Sequence, residues 1–344
     1  MSRLTHTLHQ IAEKMPLGLL RTLVNRDFIV INYHMVSNEK LPHVENLYEY
    51  KTPEMFERDL HYLRQNFRLV SYTQLVDHFR NGTSLPKKAV ALTFDDGFAE
   101  CFSVVRPLLS KYGFPCMFFV NTKYIDNLAI ANAQKVSLLI DRIKNESKDS
   151  LIKIVDLLSN YVGYLVDGKD QMITLLKTSG VHDPILVERL SGSLQLDFDQ
   201  FLKKQTPYLS TDQIRTMSSE GFTIGSHAVE HIKFSSLTDA EVEQSMANSC
   251  AIIGELTGNS SVPFAFPHNA DGVSRELLAD ILERHPRIGL LFDANGIHSE
   301  KNFLFSRLSG DHVRSGEQKN SGLPISMKKA YIEEISYQLH GQQL

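Results

Sequence analysis

An apolar run that ends in two adjacent carboxylates constrains the fold of this chain more than any other feature. Residues 89–94 read Ala-Val-Ala-Leu-Thr-Phe, and Asp95, Asp96 and Gly97 follow directly. The length and composition of the run predict a buried strand. Aspartate is rarely buried without a partner, so this ending indicates a functional site, with an acidic surface turn as the alternative. Gly97 permits a turn that lets both acids face one pocket, although successive strand residues point to opposite faces.

Composition and charge narrow the class of protein. The chain has 344 residues, 42% of them apolar and 22% charged, which predicts a packed core in one large domain with insertions or in two domains. The formal net charge of -4 gives no support to nucleic-acid binding. Three cysteines without a CxxC pair predict reduced thiols rather than a disulfide framework.

Residues 1–27 are predicted to form an N-terminal helical extension. Leu4, Leu8, Ile11 and Met15 recur at helical spacing. We expect this helix to pack on the domain; the alternative is a weak contact with an anionic membrane surface. The segment is interrupted by Glu13 and Lys14 and is not typical of a secretory signal. No stretch of the chain approaches the length of a membrane span.

Strand-like and helix-like segments alternate on both sides of a strand-free region. Strands are predicted at 28–34, 68–72, 89–94, 115–120, 221–227, 262–267, 287–292 and 303–308. Helices are predicted between them at 53–67, 73–79, 102–112, 211–219, 239–257 and 274–285, with a last helix at 330–339 in a C-terminal segment, 311–344. Such alternation predicts an α/β fold with parallel strands and covering helices.

The region 126–205 is predicted to be a helical insertion. Val136, Leu139, Ile140 and Ile143 form one helical stripe, and a second stripe begins at Leu151. The insertion would serve as decoration or a subunit contact, or else as a lid or groove wall near the site.

Polar residues of catalytic type follow several of the predicted strands. They are His34, Asp95 with Asp96, His227 and His268. Active sites of βα barrels are built where the parallel strands end, so these residues predict one shared site on a barrel.

His227 and His231 form the second constellation. Two imidazoles four residues apart are predicted to lie on one face of a helical turn and to bind one metal ion. An Asp from another strand end would complete an Asp-His-His set, and three protein ligands with one open position are typical of a catalytic zinc-type site. The competing hypothesis takes His227-Ala228-Val229-Glu230-His231 as the HxxEH pattern of a zinc peptidase, with Glu230 as general base on a long helix. That hypothesis leaves Asp95 and Asp96 without a role.

The block Thr93-Phe94-Asp95-Asp96-Gly97, followed by Ser226-His227 and His231, resembles the polysaccharide deacetylases of carbohydrate esterase family four, the NodB homology domain. The resemblance implies a distorted (β/α) barrel of about seven parallel strands over residues 28–310, interrupted by the insertion. It also implies metal-dependent hydrolytic removal of acetyl groups, most often N-acetyl groups, from a sugar. In this resemblance Asp95 matches the general base, while Asp96, His227 and His231 match the ligands of a divalent metal, expected to be zinc, with cobalt or nickel as alternatives.

The chain departs from the family pattern in one block. It reads Ala265-Phe266-Pro267-His268-Asn269 where many members have Arg-x-Pro-Tyr-Gly. The subgroup of poly-N-acetylglucosamine deacetylases is more similar, since it shares the early Tyr33-His34. That similarity implies His34 as general acid, with a structural buried histidine as the alternative, and Arg307 as the residue that holds Asp95. Phe266 and His268 are the expected substrate contacts.

The resemblance also bears on substrate and location. We expect an acetylated sugar, glycan or lipid-linked glycan as substrate, and no nucleic acid. Exported family members carry a signal and residues 1–27 are not typical of one, so the expected location is the cytoplasm, with a peripheral position at the inner membrane surface as the alternative. A non-catalytic carbohydrate-binding barrel is the third hypothesis.

Overall fold

The computed structural model describes residues 14–24, 26, 28–147, 151–300, 303–312 and 322–340. Most of the predicted N-terminal helical stripe, including Leu4, Leu8 and Ile11, lies outside the described residues. Among the described helices, none is both long enough and apolar enough to cross a bilayer.

Seven parallel strands close into a barrel. Around it they run in the order β1, β3, β4, β5, β6, β7, β9, and β9 pairs back with β1 at Val30 and Arg307. The short β2 lies beside β3, and β8 pairs antiparallel with β9. The strands are β1 Phe28–Tyr33, β2 Arg68–Leu69, β3 Ala89–Phe94, β4 Met117–Val120, β5 Thr223–Ser226, β6 Val262–Ala265, β7 Ile288–Asp293, β8 Ser299–Glu300 and β9 Leu304–Ser309. The prediction of a distorted barrel of about seven parallel strands is confirmed.

Helices follow the barrel strands in the expected alternation. They are α1 Leu17–Val24, α2 Pro53–Asn66, α3 Tyr72–Asn81, α4 Arg106–Tyr112, α5 Asn132–Asn145, α6 Ile152–Val162, α7 Gly168–Thr178, α8 Pro184–Ser193, α9 Phe198–Lys204, α10 Thr211–Ser219, α11 Asp239–Thr257, α12 Arg275–Arg284 and α13 Leu323–His340. A π-helical turn, Cys101–Val105, precedes α4.

Local sequence explains where several of these helices begin. Capping boxes start three of them, with Ser71, Ser210 and Thr238 as N-caps. The Ser71 cap also explains why the predicted strand 68–72 is shorter: Tyr72 already belongs to α3, and β2 ends at Leu69. The last helix is longer than predicted, because it begins at Leu323 rather than at residue 330. Helix α1 packs against α13 and buries Leu20 and Val24.

The chain divides into two compact units. The barrel unit comprises 1–37, 50–122 and 209–344, and the second unit comprises 38–49 and 123–208. The second unit carries helices α5–α9 and has a core of its own, which includes Leu139, Ile140 and Ile154. The segment 38–49, which the sequence pattern did not indicate, joins it through Asn46, whose amide donates to the backbone oxygen of Ser137 at 3.0 Å.

Candidate active site

The sequence-predicted residues follow the strands at one end of the barrel. Backbone ladders continue past the strand ends, since the Asp95 N–H donates to the Tyr33 oxygen and the His227 N–H to the Val120 oxygen, both at 2.9 Å. These bonds fix the Cα positions from which the side chains project. Parallel strands all end on the same side, so the geometry follows from the topology.

The turn after β3 directs two adjacent carboxylates into one space. Asp96 has φ 69° and Gly97 φ 66°, both in the left-handed region. A Cβ at Gly97 would lie 2.8 Å from Cγ1 of Val120, so this position requires glycine for both conformation and space. As a result, Asp95 Oδ2 and Asp96 Oδ1 lie 3.9 Å and 3.6 Å from the same atom, Nε2 of His227.

Asp96, His227 and His231 form a group that could hold a metal ion. Their ligand atoms all lie within 4.8 Å of one another, and His231 Nε2 is 3.5 Å from Asp96 Oδ1. Asp96 Oδ1 and His227 Nε2 are buried and have no hydrogen-bond partner among the described residues. Buried polar atoms without partners are costly in free energy. One carboxylate oxygen and two imidazole nitrogens are a donor set that suits a divalent transition metal, so these residues fit such an ion.

His227 is held in the form that a metal ligand needs. Its Nδ1 lies 2.9 Å from the backbone oxygen of Ala265, which makes Nδ1–H the donor and leaves a lone pair on Nε2. Burial lowers the pKa of His227 to about 4, despite the nearby carboxylates. The imidazole is therefore neutral near pH 7.

The histidine loop, residues 227–231, is not helical, so the predicted helical turn is wrong. Ala228 has φ 65°, which breaks any helix at this point. The loop is held by its backbone: the Asn121 side-chain amide donates to the His227 oxygen, and the Thr122 N–H donates to the Ala228 oxygen. The two imidazoles still converge, with ring centroids 5.1 Å apart. An HxxEH peptidase site requires a helix here, and this loop does not provide one.

Arg307 lies in the barrel interior and forms a bidentate salt bridge with Asp95. Its Nη1 and Nη2 donate to the two Asp95 carboxylate oxygens at 2.6 Å and 2.8 Å. The arginine side chain is fully buried and lies over the Phe119 ring, 5.2 Å from its centroid. Burial alone would raise the pKa of Asp95, but the Arg307 guanidinium outweighs it and holds that pKa well below its ordinary range. Asp95 is therefore ionised.

His34 forms a charged pair with a residue that sequence reasoning missed, Asp311. Nδ1 of His34 lies 2.6 Å from Asp311 Oδ2, and the His34 N–H donates to Asp311 Oδ1 at 3.1 Å. Burial on its own would lower the pKa of His34, but the Asp311 carboxylate outweighs it and raises the pKa to about 9. Nε2 of His34 lies 4.0 Å from Asp95 Oδ2 and faces the site.

Two further polar residues around Asp95, Asn32 and Thr93, were given no role in the sequence analysis. The Asn32 amide donates to Asp95 Oδ2 at 3.0 Å, and the Thr93 hydroxyl donates to Asn32 Oδ1 at 3.0 Å. Both face the barrel interior from strands that read as ordinary buried runs. Only the strand pairing of β1 with β3 brings them beside Asp95, so no local sequence signal could have identified them.

The two predicted substrate contacts differ in exposure. His268 is exposed, has φ 61° and lies against the His231 ring with centroids 4.6 Å apart. Phe266 is fully buried and packs edge-on against Phe234 and Phe264. A ring without exposed surface has none to offer a sugar, so only His268 is kept as a candidate substrate contact.

A family model described as polysaccharide deacetylase matches residues 82–280, more than half of the chain. The chain belongs to the polysaccharide deacetylase family. The matched range contains the Asp95 turn and the histidine loop, whereas His34, Arg307 and Asp311 lie outside it.

The chain is similar in sequence to a curated protein and in fold to solved structures. It is 30% identical over 116 residues to a poly-β-1,6-N-acetyl-D-glucosamine N-deacetylase of Escherichia coli K12; the match covers 33% of this chain and 17% of that protein. The fold is similar to that of the Streptococcus pyogenes deacetylase PplD in complex with acetate, with TM-score 0.52, 13% identity and coverage of 82% of this chain and 91% of the other. It is also similar to IcaB from Ammonifex degensii, with TM-score 0.51, 17% identity and coverage of 88% and 97%.

Proposed function

We propose that this chain is a metal-dependent N-deacetylase of an acetylated polysaccharide, with poly-β-1,6-N-acetylglucosamine as the substrate type. Family membership supports the reaction class, and the similarity to the Escherichia coli poly-β-1,6-N-acetyl-D-glucosamine N-deacetylase supports the sugar. Hydrolysis would convert an N-acetylhexosamine residue into a free amine and acetate.

One observation carries the proposal. An arginine-held carboxylate, Asp95, directs Oδ2 toward His227 Nε2 and His34 Nε2, and both nitrogens lie within 4.0 Å of it. A base, an acid and a metal-ligand group thus face one small space. This combination is what amide hydrolysis requires.

Asp95 would act as the general base. Its Oδ2 takes a proton from the attacking water while the water oxygen bonds to the acetyl carbon and the carbonyl π electrons move to the acetyl oxygen; the C=O bond re-forms when the C–N bond breaks. The ion pair with Arg307 makes Asp95 a weak base but fixes its orientation, so its contribution comes from position. Arg307 acts through Asp95 and is a positioning residue.

His34 would act as the general acid. With Asp311 on Nδ1, the imidazolium keeps its Nε2 proton near neutral pH and delivers it to the sugar nitrogen as the C–N bond breaks. An amide nitrogen leaves poorly unless it is protonated, so a positioned cationic acid favours N-acetyl over O-acetyl substrates.

Asp96, His227 and His231 would hold the metal, and we propose zinc, with cobalt or nickel as alternatives. Two imidazoles and one carboxylate are typical ligands of catalytic zinc sites. When bound, the ion supplies Lewis-acid polarisation of the acetyl oxygen and activation of water.

The test is acetate release from a β-1,6-linked N-acetylglucosamine oligomer by zinc-loaded protein. We expect Asp95→Asn to lower kcat by about 10²–10⁴-fold, the usual contribution of a general base. Glu230→Gln, the corresponding substitution of the general base in the peptidase hypothesis, should leave kcat within about threefold of wild type. Full activity of Asp95→Asn together with loss in Glu230→Gln would favour the peptidase hypothesis instead. Binding of the oligomer without acetate release under zinc, cobalt or nickel would favour a non-catalytic barrel.

A further inference from the structure

A second cleft lies beside the histidine loop. It has a volume of about 280 Å³ and lies between the segment after β5 and the first half of α11. Its apolar lining includes Val229, Ile232 and Phe234, and its polar lining includes Gln244 and Asn248. No role in the reaction derived above uses this cleft.

The cleft lies at the reactive end of the barrel. Helix α11 begins at Asp239, soon after the loop that leaves β5, so its first turns lie at the end where His227 emerges. Glu230 and Ile232, the two neighbours of His231 in the chain, both line the cleft. A molecule in the cleft would therefore contact the backbone segment that carries a metal ligand.

The polar lining includes two side-chain amides, Gln244 and Asn248. Gln244 and Asn248 are four residues apart on one face of α11, and both are exposed. Neither side-chain amide is hydrogen-bonded to another residue in the described part of the chain. Each amide offers donors and an acceptor, which match the hydroxyl and acetamido groups of a neutral sugar.

The rest of the lining disfavours anionic ligands and offers apolar surface. Glu230 and Glu241 line the cleft and would repel a phosphate or another anion. Ile232 is 41% exposed and, with Val229, offers apolar surface to the face of a sugar ring or to an acetyl methyl group. Phe234 is buried against Phe264 and Phe266, which gives this wall a rigid base.

We propose that this cleft binds one N-acetylhexosamine residue of a polysaccharide, adjacent to the residue that is deacetylated. The volume lies just below the range of about 300–1,000 Å³ for small-molecule pockets, which suits a single sugar residue. This inference rests on the proposed function, and it makes the enzyme prefer polymers over single sugars.

The experiment compares chain lengths. Acetate release is measured on the β-1,6-linked N-acetylglucosamine pentamer and on the monomer with zinc-loaded protein. In the double variant Gln244→Ala/Asn248→Ala, the ratio of kcat/KM for pentamer to that for monomer should fall about tenfold through the KM for pentamer, because two neutral hydrogen bonds are lost. Ser245→Phe, which fills the cleft, should lower the ratio in the same way. Asn259→Ala, an exposed amide beyond the other end of α11, should leave it unchanged.

A binding measurement separates this inference from the proposed function. Pentamer affinity is measured calorimetrically in the Asp95→Asn background, with and without the cleft substitutions, and should weaken about tenfold with them. If the kcat/KM ratio and the pentamer affinity are unchanged in both the double variant and Ser245→Phe, the cleft proposal is overturned and the deacetylase proposal stands. The deacetylase proposal is overturned, and the cleft proposal stands, if the parent protein releases no acetate but binds the pentamer and the cleft substitutions weaken that binding. A protein that neither hydrolyses nor binds the pentamer overturns both.

Discussion

Two neighbouring carboxylates of identical chemistry have different surroundings at the end of β3. Asp95 accepts hydrogen bonds from Arg307 and Asn32, whereas Asp96 has a buried oxygen for which the described part of the chain provides no hydrogen-bond donor. The sequence indicates that both acids are functional, and family resemblance divides their roles. The physical cause of the division is Arg307, which is 212 residues away in the chain and reaches Asp95 only because β9 closes the barrel onto β1.

The substitution Arg307→Lys tests whether the salt bridge with Arg307 positions Asp95. Lysine cannot reproduce the paired hydrogen bonds, so we expect kcat to fall about 10- to 100-fold. The pKa of Asp95 should rise toward its ordinary value, which moves the acid limb of the kcat–pH profile to higher pH, because the base must be ionised. The exposed Arg284, paired with Glu243, provides the control Arg284→Lys, which should leave the profile in place. An unmoved acid limb in Arg307→Lys would contradict this role.

Asp311→Asn tests the acid. In the wild type the pKa of His34, raised to about 9 by Asp311, keeps the imidazole protonated until the pH rises through that value. In the proposed reaction the protonated form is the acid, so activity should decline at alkaline pH. Without the carboxylate the pKa falls, and the alkaline limb should move to lower pH by at least about one unit. Asp212→Asn, at a fully exposed position, is the matched control. An alkaline limb that stays in place would exclude His34 as the acid.

At the scale of elements, strands were easier to predict than the segments that follow them. Apolar runs such as 89–94 locate the strands, because burial on both faces requires them. The conformation of the histidine loop could not be predicted from the spacing of His227 and His231, since a four-residue separation also fits a helix. Its conformation depends instead on Asn121 and Thr122, which follow a different strand, and on Ala228 at positive φ.

Asn121→Ala tests how the histidine loop is held. The buried amide donates to the His227 backbone oxygen, so its loss should loosen a metal ligand and weaken zinc affinity about tenfold. Competition with a chromogenic chelator measures this. Asn66→Ala removes an exposed amide that also bonds to a backbone oxygen, and should have no effect. Equal zinc affinities in the wild type and Asn121→Ala would show that the amide does not hold the site.

A buried ion pair beside β1 is expected to stabilise the fold. Lys51 pairs with Asp59, which also accepts the Tyr33 hydroxyl at 3.0 Å, and all three residues are almost fully buried. Lys51→Met leaves a buried carboxylate without its cation, so the free energy of unfolding should fall by about 3–5 kcal/mol. Denaturant titration measures it, with Lys111→Met at the exposed pair with Glu57 as the control. A fall no larger than in the control would contradict the importance of the buried pair.

At the scale of the whole molecule, the alternation of strands and helices predicted the parallel α/β fold, and the polar strand ends together with the family resemblance predicted the barrel. The prediction works because a parallel strand needs a crossover, and most crossovers here contain a helix, several of which begin at a cap that the sequence shows. The division of the chain into two units was harder to predict. Residues 38–49 belong with 123–208 through contacts such as that of Asn46 with Ser137, which no local sequence pattern reveals. Asp311 was missed for the same reason. The cytoplasmic location and any membrane contact stay predictions, and subcellular fractionation tests them.

We propose that Asp96, His227 and His231 hold a metal on which deacetylation depends. The most direct measurement is acetate release from the N-acetylglucosamine pentamer by protein stripped with chelator and then titrated with zinc. We predict that stripping abolishes acetate release, that one zinc per chain restores it, and that Asp96→Ala is not restored at that stoichiometry. Undiminished release by the stripped protein, or equal restoration of Asp96→Ala, would contradict the account.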